Sequence, residues 1–478
     1  MPEPSWAEGY AVGVGYPHRY QRELSPAGLR FVTLLAGLQA ADAGEPFAYY
    51  ELGCGNGDSL TLHAAANPLG QFIGADFNPT HVHNARKQAQ EAGVGNARFL
   101  EKSFAELAAM DLPEADFVAL HGVYSWVSGE NRAQIVDFIR RRLKPGGIAF
   151  VSYNCLPGLG AVAPLQRLLR EHAGQAAGEM PERMQRAIEF AARLSEAGAR
   201  YFQLNPTARA RLAGLRAQDA RYLVHEYFNA HWAAFYHMDV ARELGEAKLT
   251  YAGSADYADN FDQFVLSPAI AQLAAGLGDG TLAETIKDFA RNQVFRRDVF
   301  TRGAPRASPE ELFKLLGRTR FALVRPRVGC RLQLDTPAGA ATLHEEAYAP
   351  VLDALARAPM TFDELAQAPE TAHFDRGRMR QALFGMAACG NVLPALPAEG
   401  EEARRASTAR YNRAVLARPV TDSPNTILAS PVLGAGVAIS PVDRAFLGAA
   451  GAPAGHDEHA QSFRDVLLPF LRQLGVAD

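Results

Sequence analysis

A glycine-spaced turn in the stretch YYELGCGNGDSL most constrains what this chain can fold into. An apolar run precedes Gly53, Gly55 and Gly57, and Asp58 follows where a helix can begin. Because glycine lacks a Cβ, such a turn lets the backbone approach a ligand, and the helix N-terminus points amide donors at it. The stretch therefore predicts a strand, a ligand-binding turn and a helix.

Short apolar runs alternate with helical patterns from Phe47 to Asn154, which is typical of βαβ units around a parallel sheet. The predicted strands are FAYYELG, QFIGADF, ARFLEKS, ADFVALHGV and GIAFVSYN, with helices predicted near 59–66, 80–91 and 130–143. The later segments KLTYAGSAD and VFRRDVFTRG are predicted to add two strands to the same sheet. The predicted fold class is α/β, a doubly wound Rossmann-like core with a helical insertion and mostly helical C-terminal domains.

The sequence pattern divides the chain into six predicted regions. Amphipathic helices follow Asn154, and a helix, turn, helix and short strand after a capping box at Thr361 and Glu364 favour a winged-helix-like arrangement. A chain of 478 residues is long enough for several domains. The regions are an N-terminal arm (1–45), a ligand-binding core (46–155), a helical insertion (156–220), a region that completes the core sheet (221–305), a winged-helix-like middle domain (306–400) and a C-terminal domain (401–478), with LPAEGEEARRAS as an exposed linker.

Composition argues against several classes of protein. The net charge of -4 gives no electrostatic case for a nucleic-acid partner, and 341–400 holds eight acidic against four basic residues, which argues against DNA binding there. The four cysteines form no CxxC pair, which argues against a zinc site or a disulfide framework. With no signal-peptide pattern and no apolar run of about 18 residues, we expect a cytoplasmic protein without a membrane span.

The acidic residue that follows the glycine turn limits which ligands the turn can bind. A nicotinamide dinucleotide site requires GxGxxG, whereas the third glycine here comes one residue early and Asp58 would repel a pyrophosphate. Asp76 ends the second predicted strand 19 residues after Gly57, where a carboxylate can accept hydrogen bonds from ribose hydroxyls. Glu51 before the turn and the polar-aromatic pair at 103–104 complete a predicted adenosine pocket.

This order of motifs resembles class I S-adenosylmethionine-dependent methyltransferases. The resemblance implies that the glycine turn faces the methionine part of S-adenosylmethionine, Asp76 the ribose, and Phe77 and Phe104 the adenine. Methyl transfer is an in-line displacement, so the protein supplies alignment and needs no covalent nucleophile. The residues assigned to the cofactor are Tyr20, Glu51, Gly53, Cys54, Gly55, Asn56, Gly57, Asp76, Phe77, Asn78, Ser103, Phe104 and His121.

Longer motifs narrow the resemblance. The chain resembles methyltransferases that carry a methyltransferase regulatory domain in the motifs YPHRYQRELSP, LHGVYSWVSGENR, RRLKPGGIAFVSYNCLPG and YLVHEYFNAHWAAFYHMDVARELGEAKLTYAGSAD. With the tail LASPVLGAGVAISP, its layout is similar to the rickettsial-type protein lysine methyltransferases. The resemblance implies that 156–220 is a dimerisation insertion, that 221–305 is the regulatory region, and that further domains surround an open cleft. It also implies a homodimer and a protein substrate, since the family's known substrate is an outer membrane surface protein, a component of the cell envelope.

The acceptor slot is predicted at the carboxyl ends of the fourth and fifth strands, where ligands bind in such sheets. Polar side chains there can orient an amine, and aromatic faces tolerate a methylated ammonium. The candidate catalytic residues are Tyr124, Trp126, Tyr153, Asn154 and His225, with His225 or Glu226 as proton acceptor. A metal site is not predicted, because His225, His231 and His237 are six residues apart rather than at the HExxH spacing.

Two alternatives stay open. A class I core also serves small-molecule methyltransferases, and a cofactor-binding regulatory or scaffold protein is the second alternative. The extra regions favour a large substrate, and the glycine turn with Asp76 argues against an inactive site.

We expect the insertion to bury Ile188, Ala191 and Leu194 between two chains. We also expect the chain up to about residue 305 to fold without the residues that follow it.

Overall fold

A mixed β-sheet lies at the centre of the protein. The computed structural model describes residues 5–12, 14–15, 18–39, 44–336, 339–418, 426–448 and 458–477. The sheet consists of β1 (Phe47–Leu52), β2 (Gly70–Asp76), β3 (Ala97–Glu101), β4 (Ala115–Leu120), β5 (Leu143–Asn154), β6 (Leu249–Ser254) and β7 (Phe295–Arg302). Within the described residues these seven strands pair in the order β3-β2-β1-β4-β5-β7-β6. The strands β1 to β5 run parallel, whereas β7 is antiparallel to both β5 and β6, so the predicted α/β sheet and its two added strands are confirmed.

Helices cover both faces of this sheet. They are α1 (Pro26–Leu35), α2 (Asp58–Ala66), α3 (Pro79–Glu91), α4 (Phe104–Ala109) and α5 (Gly129–Arg142), and 3-10 turns at Ser5–Ala7 and Arg22–Leu24 precede α1. The three predicted helices of the core lie within one residue of α2, α3 and α5. Side chains of α1, α2 and α3 join one apolar cluster, and those of α4 and α5 join the cluster on the opposite face.

Adjacent tyrosines in β1 tie the sheet to both clusters. Tyr49 and Tyr50 point to opposite faces, as successive strand residues do, and both are fully buried. The ring of Tyr49 packs on Phe72 and Phe117, whereas Tyr50 packs on Phe138 of α5. Because both faces are covered, the carboxyl ends of the parallel strands are the place where a ligand can reach the sheet.

The insertion folds into its own helical cluster. Its helices are α6 (Ala163–Gln175), α7 (Met180–Glu196), α8 (Arg200–Leu204), α9 (Pro206–Leu215) and α10 (Ala220–Tyr227). Ile188 and Ala191 are fully buried in that cluster, while Leu194 is 36% exposed. The expectation that Ile188 and Ala191 contact a second chain is therefore wrong, since their own chain covers them. The homodimer itself stays a prediction.

The region after the insertion brings charged residues into the sheet. Its helices are α11 (His237–Gly245), α12 (Asp262–Val265), α13 (Pro268–Ala275) and α14 (Gly280–Arg291), with a 3-10 turn at Tyr257–Asn260. The buried guanidinium of Arg296 in β7 contacts the carboxylates of Asp298 at 2.9 Å and Asp288 at 2.6 Å. Buried charges are tolerated when they are paired and hydrogen-bonded in this way.

The remaining elements form a second apolar core and a set of small sheets. The helices are α15 (Pro309–Arg318), α16 (Glu345–Arg357), α17 (Phe362–Leu365), α18 (Arg376–Ala388), α19 (Glu401–Ala417), α20 (Pro441–Gly448), α21 (Glu458–Ser462) and α22 (Leu468–Gln473), with 3-10 turns at Arg327–Gly329 and Pro369–Thr371 and a π-helical turn at Phe463–Leu467. The strands are β8 (Arg320–Leu323), β9 (Gln333–Thr336), β10 (Gly339–Thr342), β11 (Met360–Thr361), β12 (Val392–Ala395), β13 (Thr426–Ser430) and β14 (Ala435–Ile439). The predicted order of α17, α18 and β12 is present, but β12 pairs with β8 and leads into α19 rather than into a second wing strand. A winged helix is therefore not shown by this arrangement.

The stretch LPAEGEEARRAS is not an exposed linker. Residues from Glu401 onward form α19, and Arg404 is only 7% exposed. The guanidinium of Arg404 donates hydrogen bonds to the backbone carbonyls of Pro397, Glu399 and Pro431. Its charge is buried because these carbonyls replace water as partners.

The C-terminal region completes the core around α2. All residues of α2 from Ser59 onward are buried, so the helix is covered on every side. The helix α19 and the β13–β14 hairpin supply that cover: Tyr411 and Ala429 join the core cluster, and Asn67 donates a hydrogen bond of 2.9 Å to the carbonyl of Gly434. The expectation that the chain folds without residues beyond about 305 is not supported, because their removal would expose α2.

Burial of Ile188 predicts the effect of a charge there. Ile188→Glu should lower the free energy of unfolding of the insertion by more than about 3 kcal/mol, because it places a carboxylate inside the helical cluster. Chemical unfolding followed by circular dichroism measures this loss. Gln185→Glu, at an exposed position of the same helix, is the control and should change stability by less than about 0.5 kcal/mol. If Ile188→Glu dissociated a dimer and left the unfolding of the monomer unchanged, the packing described here would be wrong.

Candidate active site

A pocket lies at the carboxyl ends of β1 to β4, against the N-terminal arm. It encloses about 1150 Å³, including its open mouth. The predicted residues that line it are Glu51, Gly53, Cys54, Gly55, Asn56, Asp76, Phe77, Ser103, Phe104, His121 and Trp126. The predicted residues that do not line it are Tyr20, Gly57, Asn78, Tyr124, Tyr153, Asn154 and His225.

The glycine turn has the conformation that its sequence predicts. Gly53, Gly55 and Gly57 have φ angles of +73°, +53° and +74°, a left-handed region that other residues rarely adopt. A Cβ on Gly57 would contact Ala85 at 2.8 Å and the ring of Phe99 at 2.7 Å. Gly57 is therefore the N-cap of α2 at a position that has no room for a side chain. Gly53 and Gly55 line the pocket with backbone atoms alone.

Asp76 connects the turn to the start of α3. Its carboxylate accepts hydrogen bonds of 2.9 Å from the backbone N–H groups of Gly55 and Asn78, and Nδ1 of His81 lies 3.3 Å away. Asn78 in turn caps α3 by accepting a hydrogen bond from the N–H of Thr80. A carboxylate offers about four acceptor positions, so Asp76 retains capacity for ribose hydroxyls. Asn78 acts on the pocket through this contact and does not line it.

Glu51 has an unusual electrostatic environment. Burial, together with the negative charges of Asp58 and Asp76, raises the pKa of Glu51 to about 8. Its Oε2 atom is buried without a hydrogen-bond partner among the described residues. An ammonium group in the pocket would provide that partner and favour the ionised form of Glu51.

Aromatic side chains surround the end of the pocket next to β2 and β3. Phe77 follows β2, and Ser103 starts α4 through a capping box with Glu106, which places Phe104 in the first turn of the helix. The rings of Trp6 and Tyr10 from the arm each lie 5.9 Å from the ring of Phe77. This end of the pocket suits a planar, apolar group such as adenine.

The N-terminal arm is held over the pocket by three polar contacts. The side-chain amide of Asn131 donates a hydrogen bond of 2.5 Å to the carboxylate of Glu8. The carbonyl of Gly9 accepts a hydrogen bond of 2.8 Å from Ala230 N–H, and the N–H of Ala11 donates to Asn229 Oδ1 at 3.1 Å. The arm thus joins the core helix α5 to the segment that follows α10.

Tyr20 lies away from the pocket and has a different role from the predicted one. Its hydroxyl accepts a hydrogen bond of 2.6 Å from the backbone N–H of Gly436 in β14. Its ring packs near His63 of α2, with the ring centres 5.3 Å apart. Tyr20 therefore attaches the arm to the C-terminal hairpin.

His121 is a neutral group in the pocket wall. Burial lowers the pKa of His121 to about 4, and the positive charges of Arg297 and Arg19 add to this effect. Nδ1 of His121 lies 3.1 Å from the hydroxyl of Ser152, and its ring stacks on Phe150. At neutral pH this imidazole carries no charge, so it can orient a polar group without repelling a cation.

Trp126 lines the pocket, whereas His225 lies behind it. The indole N–H of Trp126 donates a hydrogen bond of 2.9 Å to the backbone carbonyl of His225. His225 is buried, and burial lowers its pKa to about 4. His225 therefore positions Trp126 through its backbone, and its location does not support the predicted role as proton acceptor.

The other three predicted catalytic residues belong to hydrogen-bond networks outside the pocket lining. Tyr124 donates a hydrogen bond of 2.5 Å to Glu243. Tyr153 donates one of 2.6 Å to Asp298. Asn154 bonds through its backbone N–H to Ser125. Burial raises the pKa of both tyrosines above the usual value, so neither hydroxyl supplies a phenolate.

Several residues of the pocket were not predicted from the sequence. They are Ala7, Glu8, Tyr10, Arg19, Gln21, Asp58, Ser59, His81, Lys102, Gly122, Val123, Val127 and Asn131. Asp58 and Ser59 follow the glycine turn directly, so their position in the motif was a usable signal. The arm residues carry no local pattern, because long-range contacts bring them to the pocket.

Other features of the described residues bear on chemistry. These residues include no group of three or more His, Cys, Asp or Glu side chains that could hold a metal ion. The four cysteines are free thiols. Across the described part of the chain, every helix is too short or too polar to cross a bilayer.

Family comparisons agree with this geometry. Residues 50–147 match the family described as "Methyltransferase domain", and residues 219–302 match the family described as "Predicted methyltransferase regulatory domain". An uncharacterized protein of Synechocystis sp., sll1526, is 38% identical over 443 residues, which cover 93% of this chain and 88% of that protein. The chain belongs to the methyltransferases with a methyltransferase regulatory domain. This methyltransferase is of class I and uses S-adenosylmethionine.

Two rickettsial proteins are also similar to this methyltransferase. The structure of PKMT2 from Rickettsia typhi in complex with AdoHcy superposes with a TM-score of 0.69 at 20% identity, covering 91% of this chain and 88% of that one. At that identity the likeness shows a shared fold along the chain. An uncharacterized protein of Rickettsia prowazekii, RP789, is 27% identical over 277 residues, which cover 57% of this chain and 49% of that protein.

The residues of the pocket fit S-adenosylmethionine. Asp76 would hold the ribose, Phe77 and Phe104 the adenine, and the unpartnered Oε2 of Glu51 the ammonium of the methionine part. Bare backbone at Gly53 and Gly55 leaves room for the chain that joins these groups. When bound, S-adenosylmethionine supplies an electrophilic methyl group on a sulfonium.

Asp76 is predicted to be needed for cofactor affinity. Asp76→Ala should weaken binding of S-adenosylhomocysteine by about 1 to 3 kcal/mol, since it removes acceptors for the ribose and frees the turn at Gly55. Titration calorimetry measures this change. Asp116→Ala is the control, because Asp116 also accepts a backbone hydrogen bond, from Ala48 at 2.8 Å, but does not line the pocket. Equal losses in both variants would argue against the assigned site.

The raised pKa of Glu51 predicts a pH dependence of binding. In the free enzyme Glu51 is protonated below pH 8, whereas an ammonium ligand favours its ionised form. Binding therefore releases a proton, and affinity for S-adenosylhomocysteine should rise by up to about tenfold per pH unit from pH 6 and level off above pH 8. Glu51→Gln should abolish this slope.

Glu106→Gln is the control for this prediction. Glu106 lies near the pocket, but hydrogen bonds from Lys102 and Ser103 lower its pKa to about 2, so it does not titrate between pH 6 and 8. Calorimetry in buffers of different ionisation enthalpy counts the released proton. An unchanged slope in Glu51→Gln would rule out Glu51 as the titrating group.

Proposed function

We propose that this methyltransferase transfers methyl groups from S-adenosylmethionine to lysine side chains of a protein. The charge of the pocket is the observation that carries the proposal. Of the described residues that line it, the acids left to meet an acceptor are Glu8, Asp58 and Asp76, since the ammonium of the cofactor would balance the charge of Glu51. The permanently positive side chains are Arg19 and Lys102. Lys102 is itself paired with Glu106 at 2.8 Å. Such a pocket favours a cationic acceptor over a carboxylate acceptor.

Glu8 is the acid best placed to meet the acceptor. Glu51 and Asp76 belong to β1 and β2, and Asp58 begins α2, whereas Glu8 belongs to the arm that covers the pocket. The amide of Asn131 holds the carboxylate of Glu8 in position. A lysine ammonium that enters beside the arm would meet this carboxylate first.

Aromatic and neutral groups complete the slot for the amine. The rings of Tyr10 and Trp126 line the same pocket, and aromatic faces attract ammonium groups in each methylation state. The imidazole of His121 is neutral at physiological pH because its pKa is about 4. It therefore adds no repulsive charge beside the acceptor.

The acceptor must lose a proton before it can attack. A lysine with an ordinary pKa of 10.4 requires about 4.6 kcal/mol to deprotonate at pH 7. Desolvation in the covered pocket lowers this requirement, and the open mouth provides a path for the proton to solvent. The slot residues orient the neutral amine, and alignment supplies most of the remaining rate.

A protein substrate is supported by the architecture outside the core. The regulatory region, the C-terminal elements and the similarity along the chain to PKMT2 support a large acceptor, which we propose to be a cell-envelope protein. Remote contacts can supply the binding energy that holds a lysine in line. We also propose a homodimer, formed through exposed residues of the insertion such as Leu194 rather than through Ile188.

Mass spectrometry tests the acceptor. The purified enzyme, incubated with labelled S-adenosylmethionine and a cell-envelope extract, should place methyl groups on Nζ of protein lysines. Small carboxylic acids, hydroxyl compounds and free lysine should be poor acceptors. Label on a small metabolite, with protein lysines unmodified, would show that the small-molecule alternative is right.

A variant of Glu8 tests the charge argument. Glu8→Gln should raise KM for a lysine-containing peptide about tenfold, because it removes an attractive charge while keeping the shape and the contact with Asn131. Its affinity for S-adenosylhomocysteine should change less than twofold. Asp116→Asn, which removes an acid that neither lines the pocket nor pairs with a residue that lines it, is the control and should leave KM unchanged. Loss of cofactor affinity in Glu8→Gln would assign Glu8 to the cofactor instead.

A further inference from the structure

The C-terminal part of the insertion is rich in exposed arginine. Residues 197–218 contain Arg200, Arg209, Arg211 and Arg216 but no Asp, Glu or Lys. We call these four side chains the arginine patch. All four are exposed. The guanidinium groups of Arg200, Arg209 and Arg216 form no ion pair or hydrogen bond with another described residue. In contrast, Arg167 and Arg186 on α6 and α7 pair with acids four positions away.

The fold of α9 directs this charge outward. Ala208, Leu212 and Leu215 lie four and three residues apart and are buried against the insertion. Arg209 and Arg216 are seven residues apart, so they lie along one edge of that buried stripe, and Arg211 lies along the other edge. The exposed Leu204, at the end of α8, lies next to the patch in the chain and is 66% exposed. The result is a charged surface with an apolar side chain beside it.

The helix α10 connects the patch to the active site. Nε of Arg211 donates a hydrogen bond of 2.9 Å to the hydroxyl of Tyr227 at one end of α10. Near the other end, the guanidinium of Arg19 lies 4.3 Å from the ring centre of Tyr222, and Arg19 lines the pocket. Tyr222 and Tyr227 are five residues apart, which is about 8 Å along the helix axis.

The chemistry of the patch indicates its partner. Guanidinium groups bind carboxylates through two parallel hydrogen bonds, which gives them geometric specificity that lysine lacks. A symmetric contact with a second copy of this chain cannot be centred on the patch, because residues 197–218 hold no acid to pair with the partner's arginines. The net charge of the chain is -4, which gives nucleic acid no attraction beyond this one surface.

We propose that the arginine patch binds an acidic segment of the substrate protein next to the lysine that is methylated. This inference rests on the proposed function and adds a sequence preference to it. An extended substrate chain spans about 3.3 Å per residue, so the length of α10 between Tyr222 and Tyr227 corresponds to a few substrate residues. The width of the patch beyond α10 corresponds to a few more. The acidic residues are therefore expected about three to eight positions from the acceptor lysine.

Peptides of matched length test the preference. One peptide carries a lysine with four glutamates at positions three to eight from it, and a second carries glutamines at those positions. With the wild-type enzyme, KM for the acidic peptide should be at least tenfold lower than KM for the neutral peptide, with similar kcat. The difference should shrink as ionic strength rises.

Charge reversal of the patch provides the matched variants. Arg209→Glu with Arg216→Glu should raise KM for the acidic peptide at least tenfold and leave KM for the neutral peptide, kcat and S-adenosylhomocysteine affinity within twofold. A peptide with lysines in place of the glutamates should regain low KM with this variant. Arg167→Glu with Arg186→Glu, on the same insertion, is the control and should shift KM less than twofold.

Binding measured without methylation separates this inference from the proposed function. Fluorescence anisotropy of the acidic peptide, with its lysine replaced by norleucine, reports docking alone. Patch-dependent docking without methylation of any lysine would uphold the patch and overturn the proposed function. Equal binding of acidic and neutral peptides by the wild type would overturn the patch. Patch-dependent binding of transfer RNA, or of phosphatidylglycerol vesicles, without binding of the acidic peptide would overturn it as well.

Discussion

The carboxylate of Asp76 is the contact on which the active site depends. It accepts hydrogen bonds from Gly55 in the turn after β1 and from Asn78 before α3. The loops that follow two neighbouring strands are therefore bonded to the same carboxylate. A carboxylate that is only 7% exposed requires such donors. The donor from the turn is available because Gly55 adopts a left-handed conformation. The shape of the turn, the start of α3 and the ribose side of the pocket therefore follow from one buried group.

The sheet and the base of the pocket could be predicted because their signals are local. Strands buried on both faces are short apolar runs, and the turn at Gly53 and Gly55 must lack side chains wherever it occurs. The acceptor side could not be predicted in the same way. Tyr124 and Tyr153 lie near strand ends, but their hydroxyls reach Glu243 and Asp298, residues more than 100 positions away in the chain. The sequence predicts that the two tyrosines lie at the carboxyl end of the sheet, but it does not predict which partner their hydroxyls contact.

In the insertion, the amphipathic pattern predicted part of the structure. The spacing of Ile188 and Ala191 indicates that one face of α7 is buried, which is correct, but not what buries it. In the same way, the charges of LPAEGEEARRAS suggested exposure, whereas Arg404 is buried among backbone carbonyls. The arm residues Glu8 and Tyr10 have no periodic pattern at all. Their position over the pocket results from contacts with Asn131 and the segment after α10.

The helix α2 is covered by elements that are translated much later than α2 itself. The helix α2 forms part of the cofactor site, yet α19 and the β13–β14 hairpin supply its outer wall. A ribosome adds roughly 5 to 20 residues per second, so the roughly 370 residues from Ala66 to Gly436 require on the order of 20 to 70 s. During that time α2 lacks the cover that buries its side chains from Ser59 onward. The wall of the cofactor site is therefore completed only after the β13–β14 hairpin has been translated.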